Sequence, residues 1–217
     1  IRWGQRGDNP CRGVERNQEH RRERYLNPKE LVRLSKALAA HPEQQSANVI
    51  RLLLLTGARR GEVLSMSWDQ LDLEEGIWIK PSAHTKQNKD HRVPLSAPAL
   101  QLLSDMNAAS TSDHLFPGKS PDVPMTEIKH FWAAICRKAK IRDCRLHDLR
   151  HTYASILASS GLSLPIVGAL LGHTQPGTTA RYAHLYDDPL REATERVGAV
   201  VSAAGKGETA EILPLRK

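Results

Sequence analysis

The sequence predicts a mainly α-helical domain of the α+β class, with one small antiparallel β-sheet. Three observations carry that reading. Apolar residues recur at helical spacing, between recognisable starts and stops, over most of positions 27–204. Only one stretch, around 76–95, changes to short strand-like segments about a polar turn. The three cysteines, Cys11, Cys136 and Cys144, are odd in number and lack CxxC spacing, so neither a disulfide framework nor a zinc ribbon is indicated. A chain of 217 residues can instead bury a proper core.

The elements follow in order. Residues 1–26 hold seven Arg against four acidic residues, with three Gly and one Pro, which reads as an extended basic linker. Asn27-Pro28-Lys29-Glu30 starts a helix, with Asn at the cap, Pro at the first position and Glu at the third. Leu31, Leu34, Leu38 and Ala39 follow at helical spacing. A second helix runs from about Ser46 to a stop near Gly57, and its run of four leucines marks it as buried on most sides. After a segment at 59–66, residues 76–80 and 91–95 form a hairpin whose loop lies around 87–90. Helices resume at Ser96-Ala97-Pro98, at Thr126-Glu127, over 146–160 with Gly161 as the stop, and over 163–171. Asp188-Pro189 caps a last helix to about Ala204. Gly205-Lys206-Gly207 then forms a hinge before a short tail. The domain boundaries are therefore 1–26, 27–187 and 188–217.

Composition narrows the class of partner. Lys and Arg number 31 against 24 Asp and Glu, a formal charge of +7, which favours a polyanion and says nothing about fold. No apolar run approaches the roughly 20 residues that span a bilayer, and no signal-peptide pattern opens the chain. A cytoplasmic protein with reduced thiols and no membrane association is expected. A first residue of Ile, not Met, reads as a fragment of something longer.

Four segments carry chemistry. In Thr56-Gly57-Ala58-Arg59-Arg60-Gly61-Glu62 a buried helix meets a glycine turn, where an arginine can offer a planar fork of donors to two phosphate oxygens. Thr85-Lys86-Gln87-Asn88-Lys89 puts lysines at a hairpin tip. In His147-Asp148-Leu149-Arg150-His151, spacing i, i+3 sets His147 and Arg150 on one helix face. Gly172-His173 precedes Tyr182 by nine residues across a turn. A tyrosine hydroxyl is a poor nucleophile at its free pKa of about 10, so it needs neighbours that take its proton or favour phenolate. His147 and His151, at i and i+4, have the spacing of two metal ligands, but the acid of an HExxH motif is missing and no metal is expected. His151 reads instead as a capping or packing residue, Glu62 as a residue that orients a helix or an arginine, and His184 as surface. Lys80 and Lys89 rival Lys86, and Tyr186 rivals Tyr182.

In this order the segments resemble the boxes of the tyrosine recombinase (phage integrase) catalytic domain: T-G-x-R-x-x-E, a hairpin Lys, H-x-x-R, G-H and a Tyr. The matching positions are Arg59, Lys86, His147, Arg150, His173 and Tyr182, and the likeness covers about residues 28–186. The resemblance implies the DNA breaking-rejoining fold and a site-specific recombinase or integrase. Tyr182 would attack the scissile phosphate to give a 3′-phosphotyrosyl link and a free 5′-hydroxyl. Arg59 and Arg150 would hold the non-bridging oxygens, Lys86 would protonate the leaving oxygen, His147 would accept the tyrosine proton and His173 would donate to the phosphate. No metal, ATP or other cofactor is implied. Arg60, Lys89 and Arg181 become candidate DNA backbone contacts. The implied partner is double-stranded DNA, bound by a tetramer of full-length protomers, with the isolated domain monomeric. Residues 1–26 would lead from an upstream DNA-binding domain, and the last helix would dock in cis or on a neighbouring protomer. Integration or excision of a prophage or mobile element fits best; a type IB topoisomerase or an inactive DNA-binding module are the alternatives.

Overall fold

The computed structural model describes residues 8, 11–15, 22–81 and 90–205. Helix α1 (Pro28–Ala39) begins at the anticipated capping box: Asn27 Oδ1 accepts the Glu30 amide at 2.9 Å, and Glu30 Oε2 accepts the Asn27 amide at 3.1 Å. Helix α2 (Gln44–Thr56) is buried along much of its length and stops at Gly57, which takes the left-handed conformation at φ 62°. A side chain there would strike the ring of Tyr153, so glycine is required twice over. The short α3 (Arg60–Leu64) follows directly.

Three antiparallel strands come next: β1 (Leu71–Asp72), β2 (Ile77–Lys80) and β3 (His91–Pro94), in that order across the sheet. The pairing Trp78↔Val93 and Lys80↔His91 sets Trp78 and Lys80 on one buried face. β1 is too short for its pattern to stand out in the sequence. The loop at 82–89, with Lys86 and Lys89, lies outside the described residues.

The remaining helices are α4 (Ala97–Ala108), α5 (Lys129–Lys138), α6 (Asp148–Ser159), α7 (Leu164–Leu171), α8 (Pro176–Thr179) and α9 (Asp187–Gly205). A 3₁₀ segment, Ala180–Tyr186, joins the last two. α5 starts later than Thr126-Glu127 suggests, because the Glu127 carboxylate itself accepts the amides of Ile128 and Lys129 at 2.9 Å each. Among the described residues no helix is long and apolar enough to cross a membrane.

α6 organises the interior. Leu149 belongs to the main core, with Leu34, Leu38, Ile50, Leu53, Met66 and Trp78. Ala154 and Ala158, further along the same helix, belong to a second core with Val167, Leu171 and Tyr182. Small residues on this half of α6 leave room for the 3₁₀ segment to approach closely. The residues that begin α6 thus stand where both cores meet.

Candidate active site

The first box is built around one carboxylate. Arg59 precedes α3 in extended conformation, and Glu62 one turn later accepts its amide at 3.0 Å and its Nη1 at 2.7 Å. The second Glu62 oxygen also receives Lys80 Nζ, at 2.8 Å. Burial alone would raise the Glu62 pKa, but the Lys80 charge and these hydrogen bonds outweigh it and hold the group at about 2. Lys80, itself 4% exposed and lying over the Trp78 ring, is therefore committed to the sheet–helix joint. Arg59 keeps half its side-chain surface in solvent, at 51%. Arg60 points to Glu127 at 3.4 Å, an exposed pair that contributes little.

Arg150 lies in the first turn of α6 and is 4% exposed. Its Nη1 donates to the Gly57 carbonyl at 2.8 Å and its Nη2 to the Leu171 carbonyl at 2.7 Å. One guanidinium therefore fastens the end of α2 to the end of α7. Burial, with Arg59 nearby, lowers its pKa to about 10.

The Gly172-His173 box closes the third side. Gly172 is left-handed at φ 67°, and a Cβ there would lie 2.8 Å from the His91 ring. His91 Nε2 donates to the Ala169 carbonyl at 2.8 Å, which pins the start of β3 to α7. His173 Nδ1 and the buried Thr179 hydroxyl are hydrogen-bonded at 2.8 Å. Burial first, then Arg150, Arg59 and Arg181, push the His173 pKa to about 4. Gly172→Ala is expected to cost about 2 kcal/mol or more, from left-handed strain plus the His91 clash. Gly61→Ala, in open helical surface, should be neutral or stabilising by up to ~1 kcal/mol. Equal denaturation midpoints for the two variants would contradict this.

Tyr182 is the anticipated nucleophile, and the 3₁₀ segment holds it 6% exposed. Burial raises its pKa, while Arg181 and Arg150 pull the other way. Its hydroxyl and His151 Nδ1 are hydrogen-bonded at 2.6 Å. The sequence reading of His151 as a capping or packing residue thus misses its contact. His147, given the tyrosine's proton by resemblance, sits exposed at the α6 start, its ring edge-on to His151 with centroids 5.0 Å apart. Tyr186 Oη is spent on the Leu162 carbonyl, and His184 is exposed.

A strap formed by residues 22–26 crosses this region. The Arg22 guanidinium grips Asp148 (2.9 Å) and Asp143 (3.0 Å), and its carbonyl accepts Arg181 Nη2 at 3.0 Å. The Leu26 amide donates to Thr152 Oγ1 at 2.9 Å. These contacts join residues more than 100 positions apart and have no local signal. Arg181 is thus occupied by the strap and by the Tyr182 ring, 6.0 Å away. Cys136 and Cys144 are pushed by burial to about 11 and about 12, so neither thiol supplies a nucleophile at neutral pH.

Arg59, Arg150, His147, His173 and Tyr182 therefore gather around the start of α6, in the order and setting of the boxes quoted above. Residues 24–188 match the sequence model of the phage integrase family. The chain belongs to the phage integrase family. It is similar to the integrase of Salmonella phage P22, at 28% identity over 194 residues, 84% of this chain and 49% of that protein. It is also similar to the tyrosine recombinase XerA of Saccharolobus solfataricus, at 31% identity over 177 residues, 81% of this chain and 57% of the relative. Among solved structures, a XerA recombinase superposes with a TM-score of 0.67 at 26% identity, covering 82% of this chain and 66% of that one. The catalytic domain of bacteriophage HP1 integrase gives 0.62 at 23% identity, covering 79% of this chain and 93% of that one, a likeness of fold. The chain spans about half the length of the first curated relatives it matches.

Proposed function

We propose that this domain breaks and rejoins DNA as the catalytic part of a tyrosine-type site-specific recombinase or integrase. The observation that carries the reading is the convergence on Arg150. It ties the Arg59 box to the Gly172-His173 box, and its charge reaches the phenol of Tyr182. Five donors on one guanidinium leave three beyond those held by carbonyls, enough to grip a phosphate oxygen. The electrostatics support an anion site: after burial, the leading influence lowering Arg150 is Arg59, and the one lowering His173 is Arg150. A phosphodiester would relieve that mutual repulsion, most of all in a pentacoordinate transition state with its extra charge.

In this reading Arg59, Arg150 and His173 hold the non-bridging oxygens, and Tyr182 attacks phosphorus to leave a 3′-phosphotyrosyl bond. Lys86 protonates the 5′ oxygen. His147 faces the phosphate, Arg60 and Lys89 contact the DNA backbone, and Arg181 does so with the donors not held by the Arg22 carbonyl. The covalent bond conserves the energy of the phosphodiester, so rejoining needs neither ATP nor a cofactor. The substrate is double-stranded DNA in the cytoplasm, handled by a tetramer in which segments preceding residue 27 and following residue 187 join protomers and DNA. Integration or excision of a prophage or mobile element fits the relatives' names.

The test is covalent trapping. A pool of nicked duplexes with randomised cores should yield a denaturation-resistant adduct whose tryptic peptide carries the nucleotide on Tyr182, equally in EDTA. No adduct, attachment elsewhere, or strict dependence on a divalent metal would overturn the reading.

A further inference from the structure

We propose that His151 is the proton acceptor of Tyr182: it holds the phenol between reactions and takes its proton when the scissile phosphate arrives. The inference rests on Tyr182 being the nucleophile of the proposed reaction. It reassigns a role that resemblance gives to His147.

The geometry distinguishes the two histidines. His151 Nδ1 stands 2.6 Å from Tyr182 Oη, a short and direct hydrogen bond. Both partners are buried, at 9% and 6% exposure, so little water competes for either atom. His147 is exposed at the helix start, and among the described residues no hydrogen bond joins it to Tyr182. Its ring meets His151 edge-on, which leaves it free to face a phosphate.

The surroundings set the charge of the ring. Facing His151 are His147, Asp148 and Arg150 from its own helix, Arg181, Tyr182 and His184 from the 3₁₀ segment, and Arg22 and Glu23 from the strap. Burial and then Arg181 lower its pKa to about 4, so at neutral pH the ring is uncharged. The acceptor role requires the tautomer in which Nδ1 keeps its lone pair for the Tyr182 hydroxyl and Nε2 carries the hydrogen. A bound phosphate would offset Arg181 and Arg150 and move His151 back towards its ordinary value of about 6.5. The substrate itself makes this acceptor more basic.

The step balances. The Tyr182 O–H bond breaks and its proton passes to Nδ1, giving an imidazolium. The phenolic oxygen bonds phosphorus, the P–O5′ bond breaks, and the departing oxygen takes a proton from the general acid on the hairpin. In rejoining, the 5′-hydroxyl gives its proton back to the deprotonated hairpin group as its oxygen bonds phosphorus, the bond from phosphorus to the Tyr182 oxygen breaks, and the imidazolium returns its proton to that phenolic oxygen.

Adduct formation by the whole chain on the nicked-duplex pool would be followed from pH 5 to 9. His151→Gln should slow it by about 10²-fold or more and remove the fall in rate on the acid side. His147→Gln should slow it while keeping that acid limb. Normal rate or a retained acid limb in His151→Gln, with a wild-type adduct still on Tyr182, overturns the His151 assignment alone. Absence of a Tyr182 adduct in the wild type overturns the recombinase reading together with the proton transfer. Imidazole ¹⁵N spectra guard against a merely misfolded variant. The wild type should show His151 with a bare Nδ1 and a protonated Nε2, perturbed in Tyr182→Phe; a spectrum indifferent to that change contradicts the inference.

Discussion

Arg150→Ala should reduce covalent adduct formation by on the order of 10³-fold or more while leaving most of the fold intact. Removing one preorganised donor to a developing oxyanion typically costs 10²–10³-fold, and this guanidinium supplies several donors and a full charge. The structural cost is smaller, because two effects oppose each other. The Gly57 and Leu171 carbonyls lose their partners, at about 1–3 kcal/mol for a buried unsatisfied group. A desolvated positive charge, already pushed down to about 10, is removed at the same time. A net loss of about 1–3 kcal/mol is therefore expected from chemical denaturation. Arg150→Lys should not restore activity, since one ammonium cannot reach two carbonyls on opposite sides and a phosphate as well. Full activity in Arg150→Lys would contradict the account, and so would an Arg150→Ala protein that unfolds before its activity is lost.

Glu62→Ala should be the most destabilising single change near the site, by about 3–5 kcal/mol, because it strands Lys80 as a buried unpaired charge. The companion variant Glu62→Ala/Lys80→Met should regain most of that loss, since a flexible apolar chain replaces the stranded amine beside Trp78. Two variants of equal stability would show that the pair is not what holds β2 to α3. The pH dependence has a definite sign. Glu62 titrates at about 2 in the folded protein, below its ordinary 4.5, so its contribution is complete above 4.5. It is lost as pH falls from there towards about 2. The stability difference between wild type and Glu62→Ala should shrink across that window, and growth on acidification would reverse the assignment. Activity should fall as well, because the same carboxylate holds Arg59.

Features encoded in neighbouring residues are legible in the sequence. The capping box at Asn27, the stop at Gly57 and the hairpin flanking 82–89 each depend on chemistry within a few positions. The true start of α5 escaped because Glu127 satisfies the helix amides from its side chain, so the helix begins two residues later. At the site, residue types and order pointed to Arg59, Arg150, His173 and Tyr182. Glu62, three positions on, is readable as the partner of Arg59, but the long-range contacts are not: 93 positions separate Arg150 from Gly57, 31 His151 from Tyr182 and 126 Arg22 from Asp148. Lys80 reads in the sequence as a rival hairpin lysine, whereas the sheet register places it inward beside Trp78.

The strap at residues 22–26 also has a mechanical meaning. Its Arg22 side chain is anchored on Asp148, next to His147, and its Arg22 carbonyl holds Arg181, next to Tyr182. One residue therefore ties the helix start to the nucleophile segment. Loss of Arg22 would unfasten Asp148 and Arg181 together, on either side of the phenol.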